Sequence, residues 1–333
     1  ERNALGYAAF GQTNKAVFEY LIAAGMDPNM ADDDGRNAAL SAAYLNPDLA
    51  TVDYLASISE ITGRTNNGAD AFMLAAARNK NVDVVKAMYA LSSDPKAVTQ
   101  DGSDALLLAA YRNGAPDVFD FLLENGFSLE TKTNEGRDAL SVAAYRNSDQ
   151  VVAKLLDAGL DVNATDAFGK TPLFYAAQRN APEVVTQLLA AGADVSVVDH
   201  EGNTALLTAA ARDRKGAEDI IAALIAAGAD TSVANRGGLN GLIAAARAGH
   251  SLETLQAFVA GGADLNAVDE DQMSALMYLA LKGTDAASLA YLIEAGADAT
   301  LRDDFGDTAA EFIAENKALS ASDVAKQLAA LQH

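Results

Sequence analysis

Short stretches of apolar residues at helical spacing recur along the chain, separated by polar turns. In EVVTQLLAAG (183–192) the aliphatic residues return every three or four positions, the spacing of one buried helix face. An alanine-rich stretch precedes it, TPLFYAAQ (171–178), and a polar turn, DAFG (166–169), precedes that stretch in turn. The pattern therefore predicts an all-α chain made of short helix pairs joined by tight turns.

The helix pairs repeat with a period of about 33 to 34 residues, which is marked by one turn position. Glycine occupies this position at Gly35, Gly68, Gly102, Gly136, Gly169, Gly202, Gly238 and Gly306, and Gln272 stands in the expected slot between the last two. A period sustained along the whole chain predicts an array of repeats in which each unit stacks on its neighbours.

Four stretches carry a family resemblance: KTPLFYAAQRNAPEVVTQLLAAGADVSVVD (170–199), GADTSVAN (228–235), GADLNAVD (262–269) and GADATLRD (296–303). In these stretches the chain resembles an ankyrin-repeat protein, and the resemblance covers nearly all residues. It implies an all-α ankyrin-repeat solenoid of stacked helix-turn-helix units with short hairpin-like finger turns. Only one unit keeps Thr-Pro-Leu, and none has histidine after it. We therefore expect an altered polar network at that turn.

The same resemblance implies a single ankyrin-repeat domain over residues 1–333, with about ten units. The first unit is partial and starts without a finger turn. The last is a degenerate cap, because a terminal repeat needs a more polar outer face. The expected units are approximately 1–31, 32–64, 65–98, 99–132, 133–165, 166–198, 199–234, 235–268, 269–302 and the cap 303–333.

Small residues are expected to set the helix ends and the spacing between repeats. Gly192, Gly228 and Gly296 follow second helices, where a left-handed glycine ends a helix without a Cβ penalty. The asparagine of a recurrent Arg-Asn pair is expected to end the first helix in the same conformation, which Asn tolerates. The Ala-Ala pair before it is expected to let neighbouring first helices approach closely.

Charge and cysteine content limit the classes of partner. The formal net charge of −22 disfavours nucleic acid, because phosphate binding requires a basic field. The longest apolar run, around IIAALIAAGA (220–229), is too short to span a bilayer, so no membrane insertion is expected. The chain has no cysteine, which excludes disulfides and leaves the compartment open. A cytoplasmic location is favoured, with a periplasmic or exported one as the alternative.

Residues suited to catalysis or metal binding are sparse. His200, His250 and His333 belong to different units, so a zinc site is not expected. His250 is expected to make a hydrogen bond in a turn. DDDG (32–35) lacks the downstream glutamate of a calcium loop, and a solvated acidic turn is the better interpretation. We therefore predict a non-enzymatic protein without cofactors, and a metal-dependent hydrolase stays a remote alternative.

One octet recurs at the same place in successive units: LLAAYRNG (107–114), MLAAARNK (73–80), SVAAYRNS (141–148), FYAAQRNA (174–181) and LTAAARDR (207–214). Equivalent positions stack into a column, and the resemblance implies that this end of the first helices and the finger turns form the concave face where partners dock. The predicted partner-binding residues are Tyr44, Arg78, Tyr111, Arg112, Tyr145, Arg146, Arg179, Arg212 and the finger residue Phe168.

Two interpretations of this column stay open. Tyrosine and arginine are the residue types that dominate protein interfaces, which favours a protein-binding strip. Alternatively, duplication copied an inert surface, with each arginine paired to a finger carboxylate such as Asp101 or Glu135.

The leading functional prediction is a protein–protein interaction module that binds a folded protein of unknown identity. It would act as a scaffold or as a stoichiometric inhibitor, and it is expected to be monomeric when free. The alternative is a docking segment of a longer, partly cleaved polypeptide, suggested by the missing finger turn at the start.

Overall fold

The computed structural model describes residues 4–179, 181–213 and 215–331, and His333 lies outside this part of the chain. The described residues are all-helical, with twenty α-helices and no regular strand. The chain divides into two compact units, residues 1–167 and 168–333. The all-α fold predicted from the sequence is confirmed, whereas the single domain and the boundaries of individual repeats stay predictions.

The first unit contains five helix pairs. Its helices are α1 Ala4–Ala9, α2 Lys15–Ala23, α3 Ala38–Leu45, α4 Leu49–Ile58, α5 Ala71–Arg78, α6 Val82–Leu91, α7 Ala105–Arg112, α8 Pro116–Glu124, α9 Ala139–Arg146 and α10 Asp149–Asp157.

The second unit continues the same alternation. Its helices are α11 Pro172–Arg179, α12 Pro182–Ala190, α13 Ala205–Ala210, α14 Ala217–Ala226, α15 Gly241–Ala248, α16 Leu252–Ala260, α17 Ala275–Lys282, α18 Ala286–Glu294, α19 Ala309–Glu315 and α20 Asp323–Ala330.

Within each unit the helix pairs stack in register. In the first unit α1, α3, α5, α7 and α9 contact one another in sequence, and α4, α6, α8 and α10 form the parallel row. The alanines that face neighbouring first helices, such as Ala75, Ala76, Ala109 and Ala110, are fully buried. This confirms that alanine sets the close spacing, because a larger side chain there would overpack the layer at a cost of about 1–3 kcal/mol.

The first helices start at capping residues whose side chains accept hydrogen bonds from the first turn. The side chains of Asp70 and Asp104 accept hydrogen bonds of 2.9 Å from the amides of Met73 and Leu107. In the second unit Asn240 caps α15 in the same way. An acceptor at this position satisfies one of the free amides of the first turn, so the caps fix where each first helix begins.

The finger turns are tight loops linked by backbone hydrogen bonds. Within one finger the amide of Thr99 donates to the carbonyl of Ser103 at 2.9 Å. Between fingers of the first unit the amide of Asn134 donates to the carbonyl of Asp101 at 2.8 Å. In the second unit the amide of His200 donates to the carbonyl of Phe168 at 2.9 Å. The fingers therefore follow the stacking of the helices.

The recurrent turn position requires a left-handed backbone. Its glycines, from Gly35 to Gly306, all have positive φ. Gly192, Gly228 and Gly296 after second helices have positive φ too, as predicted. Gln272 occupies the same slot with φ of 57°, and among the described residues it alone has positive φ without being glycine. Left-handed backbone costs a residue with a Cβ roughly 1–2 kcal/mol, so Gln272 is strained by its place in the repeat.

Replacing Gln272 with glycine should therefore stabilise the protein. We expect Gln272→Gly to raise the free energy of unfolding by roughly 1 kcal/mol, because the relief of strain exceeds the entropy that glycine adds to the unfolded chain. Urea denaturation followed by circular dichroism measures the change.

The reverse substitution at an equivalent turn is the matched control. Gly306 has φ of 88°, and no heavy atom of the described residues comes within 4 Å of the place where a Cβ would stand. Gly306→Gln should therefore lower the free energy of unfolding by an amount similar to the gain expected for Gln272→Gly, without a steric clash. Equal stability of Gln272→Gly and the parent chain would contradict the explanation.

Candidate functional site

The asparagine of the recurrent octet is a buried residue in extended backbone. Asn79, Asn113 and Asn147 follow α5, α7 and α9 with φ of −74°, −86° and −91°. The left-handed conformation predicted for this asparagine is therefore wrong. The relative exposure of Asn79 and Asn113 is only 1%. A buried amide needs hydrogen-bond partners, and these lie in the preceding repeat.

The asparagine side chains join successive repeats of the first unit. Nδ2 of Asn113 donates to the carbonyl oxygens of Ala76 at 2.8 Å and Asn79 at 2.9 Å. Nδ2 of Asn79 donates in the same way one repeat earlier, to Ala43 and Asn46. These bonds satisfy carbonyls at the end of each first helix, which a helix leaves unpaired. The asparagine therefore has a structural role.

In the second unit other side chains reach equivalent carbonyls. Nε2 of His250 lies 3.0 Å from the carbonyl oxygen of Ala210, so this ring nitrogen is the donor. The side-chain hydrogen bond expected of His250 within a turn instead joins two repeats. Nδ2 of Asn316 donates to Ala280 and Gly283. Nη1 of Arg212 donates to the carbonyl of Ala177 at 2.7 Å. Asn180 lies outside the described residues.

The tyrosine and arginine that precede the asparagine lie on the accessible side of the first unit. Arg78, Arg112 and Arg146 are the last residues of α5, α7 and α9. Arg112 and Arg146 are exposed, Tyr111 is 38% exposed, and Arg78 is half-buried. The octet therefore separates two roles, because Asn packs between repeats while Tyr and Arg contact solvent.

A groove of about 300 Å³ collects four of the predicted binding residues in the first unit. It is lined by Asp34, Arg36, Tyr44, Thr65, Asn66, Asn67, Ala69, Met73, Leu74, Ala77, Arg78, Leu108, Tyr111 and Arg112. The ends of α3, α5 and α7 form one side, and the finger turns form the other. The sequence places Tyr44 with Tyr111 and Arg78 with Arg112 in two adjacent columns, and the structure brings all four to this groove.

Arg36 and Tyr44 form a fixed wall of the groove. Nε of Arg36 lies 3.2 Å from Oδ2 of Asp32, and its Nη2 is paired with Asp34. The Arg36 guanidinium is 5.1 Å from the ring centroid of Tyr44, and that of Arg78 is 5.7 Å from it. Cation–π contacts of this length are attractive and orient the ring. Phe10 supports Tyr44 edge-on at 6.5 Å.

The charge of Arg36 is neutralised locally. Burial raises the pKa of Asp32, but the hydrogen bonds and positive charge of Arg36 outweigh burial, and the pKa lies below its ordinary value. Asp32 is therefore ionised at neutral pH. Arg36 is buried, at 8% exposure, and stays paired with this carboxylate.

Arg78, Arg112 and Arg146 form no ion pair within the described part of the chain. Glu135, expected as a partner in the inert-surface alternative, pairs with Arg137 of its own finger. The guanidinium of Arg112 instead lies 5.1 Å from the Tyr111 ring. The arginines thus retain hydrogen-bonding capacity for another molecule.

The other predicted residues lie outside this groove. Arg146 and Tyr145 contact each other at 6.0 Å one repeat further along the first unit. In the second unit Arg179 ends α11 and is half-buried, and Phe168 is 46% exposed in a finger turn. Arg212 lies beyond the end of α13 rather than inside the helix. Their part in binding stays a prediction.

The sequence prediction missed the apolar floor of the groove. Leu74 and Leu108 hold the same position in α5 and α7, and Asn66 and Asn67 come from the finger turn that precedes α5. The repeat period itself aligns Leu74 with Leu108, so the signal was present. Leucine in a helix is ordinarily explained by the core, which hid its contribution to the surface.

The described residues lack both a metal-binding cluster and a membrane-spanning helix. They contain no group of three or more His, Asp or Glu residues placed to hold a metal ion. None of their helices combines the length and the apolar character needed to cross a bilayer.

Comparison with known families identifies the repeat. The family model described as ankyrin repeats, three copies, matches residues 72–166, 141–235 and 242–332, well over half of the chain. The comparison with curated proteins finds no match. The family resemblance inferred from the sequence is confirmed. The predicted number of about ten repeats is a slight overstatement, because the matched stretches do not reach the first two predicted units.

Removing one bridging amide should destabilise the stack. Asn113→Ala leaves the carbonyls of Ala76 and Asn79 and the amide of Ala115 without their partner. Each unsatisfied buried group costs about 1–3 kcal/mol, so we expect a loss of about 3 kcal/mol in urea denaturation.

The neighbouring arginine supplies the matched control. Arg112→Ala should change the free energy of unfolding by less than about 0.5 kcal/mol, because the side chain is exposed. A loss for Arg112→Ala as large as that for Asn113→Ala would refute the separation of roles within the octet.

Proposed function

Because the chain belongs to the ankyrin-repeat family, we propose that it is a non-enzymatic module that binds a folded protein partner. Ankyrin repeats indicate protein–protein interaction, and such repeats typically carry no catalysis. The proposed binding strip comprises Tyr44, Arg78, Tyr111, Arg112, Tyr145 and Arg146 of the first unit. Arg179 and Phe168 are its proposed counterparts in the second unit. Arg212, predicted from the sequence as a binding residue, is left out of the strip because its Nη1 donates to the carbonyl of Ala177.

The observation that carries the proposal is the outward placement of Tyr and Arg beside a buried Asn. Arg78, Arg112 and Arg146 make no ion pair among the described residues, and Tyr111 leaves 38% of its surface in solvent. Side chains that only maintained the fold would be paired or buried. Tyr and Arg at an interface supply hot spots of about 2 kcal/mol or more.

The surface between helix ends and finger turns suits a folded partner. We propose that this is the concave face expected from the family resemblance, with the partner contacting several successive repeats at once. The module acts as a scaffold or as a stoichiometric inhibitor. If the partner is an enzyme, mixing at one-to-one stoichiometry separates the two roles, because only an inhibitor abolishes turnover.

Truncating the centre of the strip should abolish tight binding. The partner is first identified by affinity capture from the source cell and then purified. We expect replacement of Tyr111, Arg112, Tyr145 and Arg146 with alanine to weaken the affinity for the partner at least a hundredfold in calorimetry. Two hot spots of about 2 kcal/mol each together exceed the free energy that corresponds to a hundredfold change in affinity.

A second quadruple variant controls for surface composition. Leu91, Val98, Lys86 and Lys132 are also exposed residues of the first unit, two apolar and two basic, and they lie outside the strip. Their replacement with alanine should leave the affinity within about threefold, below the effect of one hot spot. Unchanged affinity in the strip variant would place the binding surface elsewhere.

A further inference from the structure

We propose that the groove of the first unit binds an acidic peptide segment of the protein partner. An aspartate or glutamate carboxylate of that segment pairs with Arg78 and Arg112, and an adjacent apolar side chain covers Leu74, Ala77 and Leu108. This inference rests on the proposed function and adds the chemistry of the partner.

The groove is locally positive, whereas the chain as a whole is strongly negative. Three arginines and one aspartate line it, in a chain with a formal charge of −22. The aspartate, Asp34, is already paired with Arg36. Arg78 and Arg112 make no ion pair within the described residues. A planar guanidinium binds carboxylate through two parallel hydrogen bonds, so these two side chains match an acidic group.

The shape of the groove limits what accompanies the carboxylate. A volume of about 300 Å³ is at the lower end for ligand pockets, so it admits a few side chains rather than a folded element. Ala77 and Leu108 are half-buried and offer apolar surface beside the arginines, and Leu74 adds a small exposed fraction of 7%. An acidic residue next to an aliphatic or aromatic one therefore satisfies both parts of the groove.

The groove is organised before any ligand binds. Asp32 holds Arg36, Arg36 contacts the ring of Tyr44, and Arg78 contacts that ring from within the groove lining. The Tyr111 ring lies 5.1 Å from the Arg112 guanidinium. Ordered side chains lose less freedom on binding, which favours recognition of a short flexible segment.

A phage-displayed library of random 12-residue peptides, selected on the full chain, tests the inference. We expect the selected peptides to be enriched in Asp or Glu beside an apolar residue. A synthetic peptide of the most frequent sequence, followed by fluorescence anisotropy, should lose at least tenfold in affinity for R78A/R112A. The charge-reversed R78E/R112E chain should select basic peptides instead.

The matched control is K86A/K132A, which removes two exposed positive charges of the same unit away from the groove. It should change peptide affinity by less than twofold, and circular dichroism confirms that each variant is folded. Selection without acidic enrichment, or equal loss in both double variants, would overturn the inference. If the chain still bound its purified folded partner in that case, the proposed function would stand. If only alanine substitutions outside the strip weakened partner binding, both the groove proposal and the proposed binding strip would be rejected.

Discussion

The structure depends on the way each first helix ends against its neighbour. Four carbonyls at a helix end lack intrahelical partners, and alanine brings the neighbouring backbone too close for water to reach them. In the first unit the amides of Asn46, Asn79, Asn113 and Asn147 donate to carbonyls of the preceding helix pair. The same side chain thus ends one helix and positions the next, which repeats the geometry along the unit.

Because the asparagine makes the hydrogen bonds between repeats, the two positions before it are not needed for stacking. The asparagine carries the structural requirement, so Tyr111 and Arg112 can differ between repeats without disturbing the stack. Ala77 stands where Tyr111 does one repeat later, and both positions lie along the same groove. A small residue between Tyr44 and Tyr111 leaves space there, and the arginines that flank it give that space its charge.

The second unit satisfies the same carbonyls with histidine and arginine as well as with asparagine. His250, Asn316 and Arg212 each donate to a first-helix carbonyl. An arginine that bridges repeats differs in role from Arg112, although the octets around them are similar. Periodic sequence alone therefore does not tell a surface arginine from a structural one. Their helices differ in length by two residues, about half a turn, since α13 stops at Ala210 whereas α7 continues through Arg112.

The sequence by itself determined the period, the helix pairs, the turn position that Gln272 shares with the glycines, and the two adjacent columns that hold Tyr44 with Tyr111 and Arg78 with Arg112. These features depend on local periodicity and on backbone preferences that single residues express. Only the tertiary structure decided that Asn113 lies inside while Arg112 lies outside, and that Arg36 and Leu108 complete one groove. Such choices depend on contacts between residues about 34 positions apart, which exist only once the repeats are stacked.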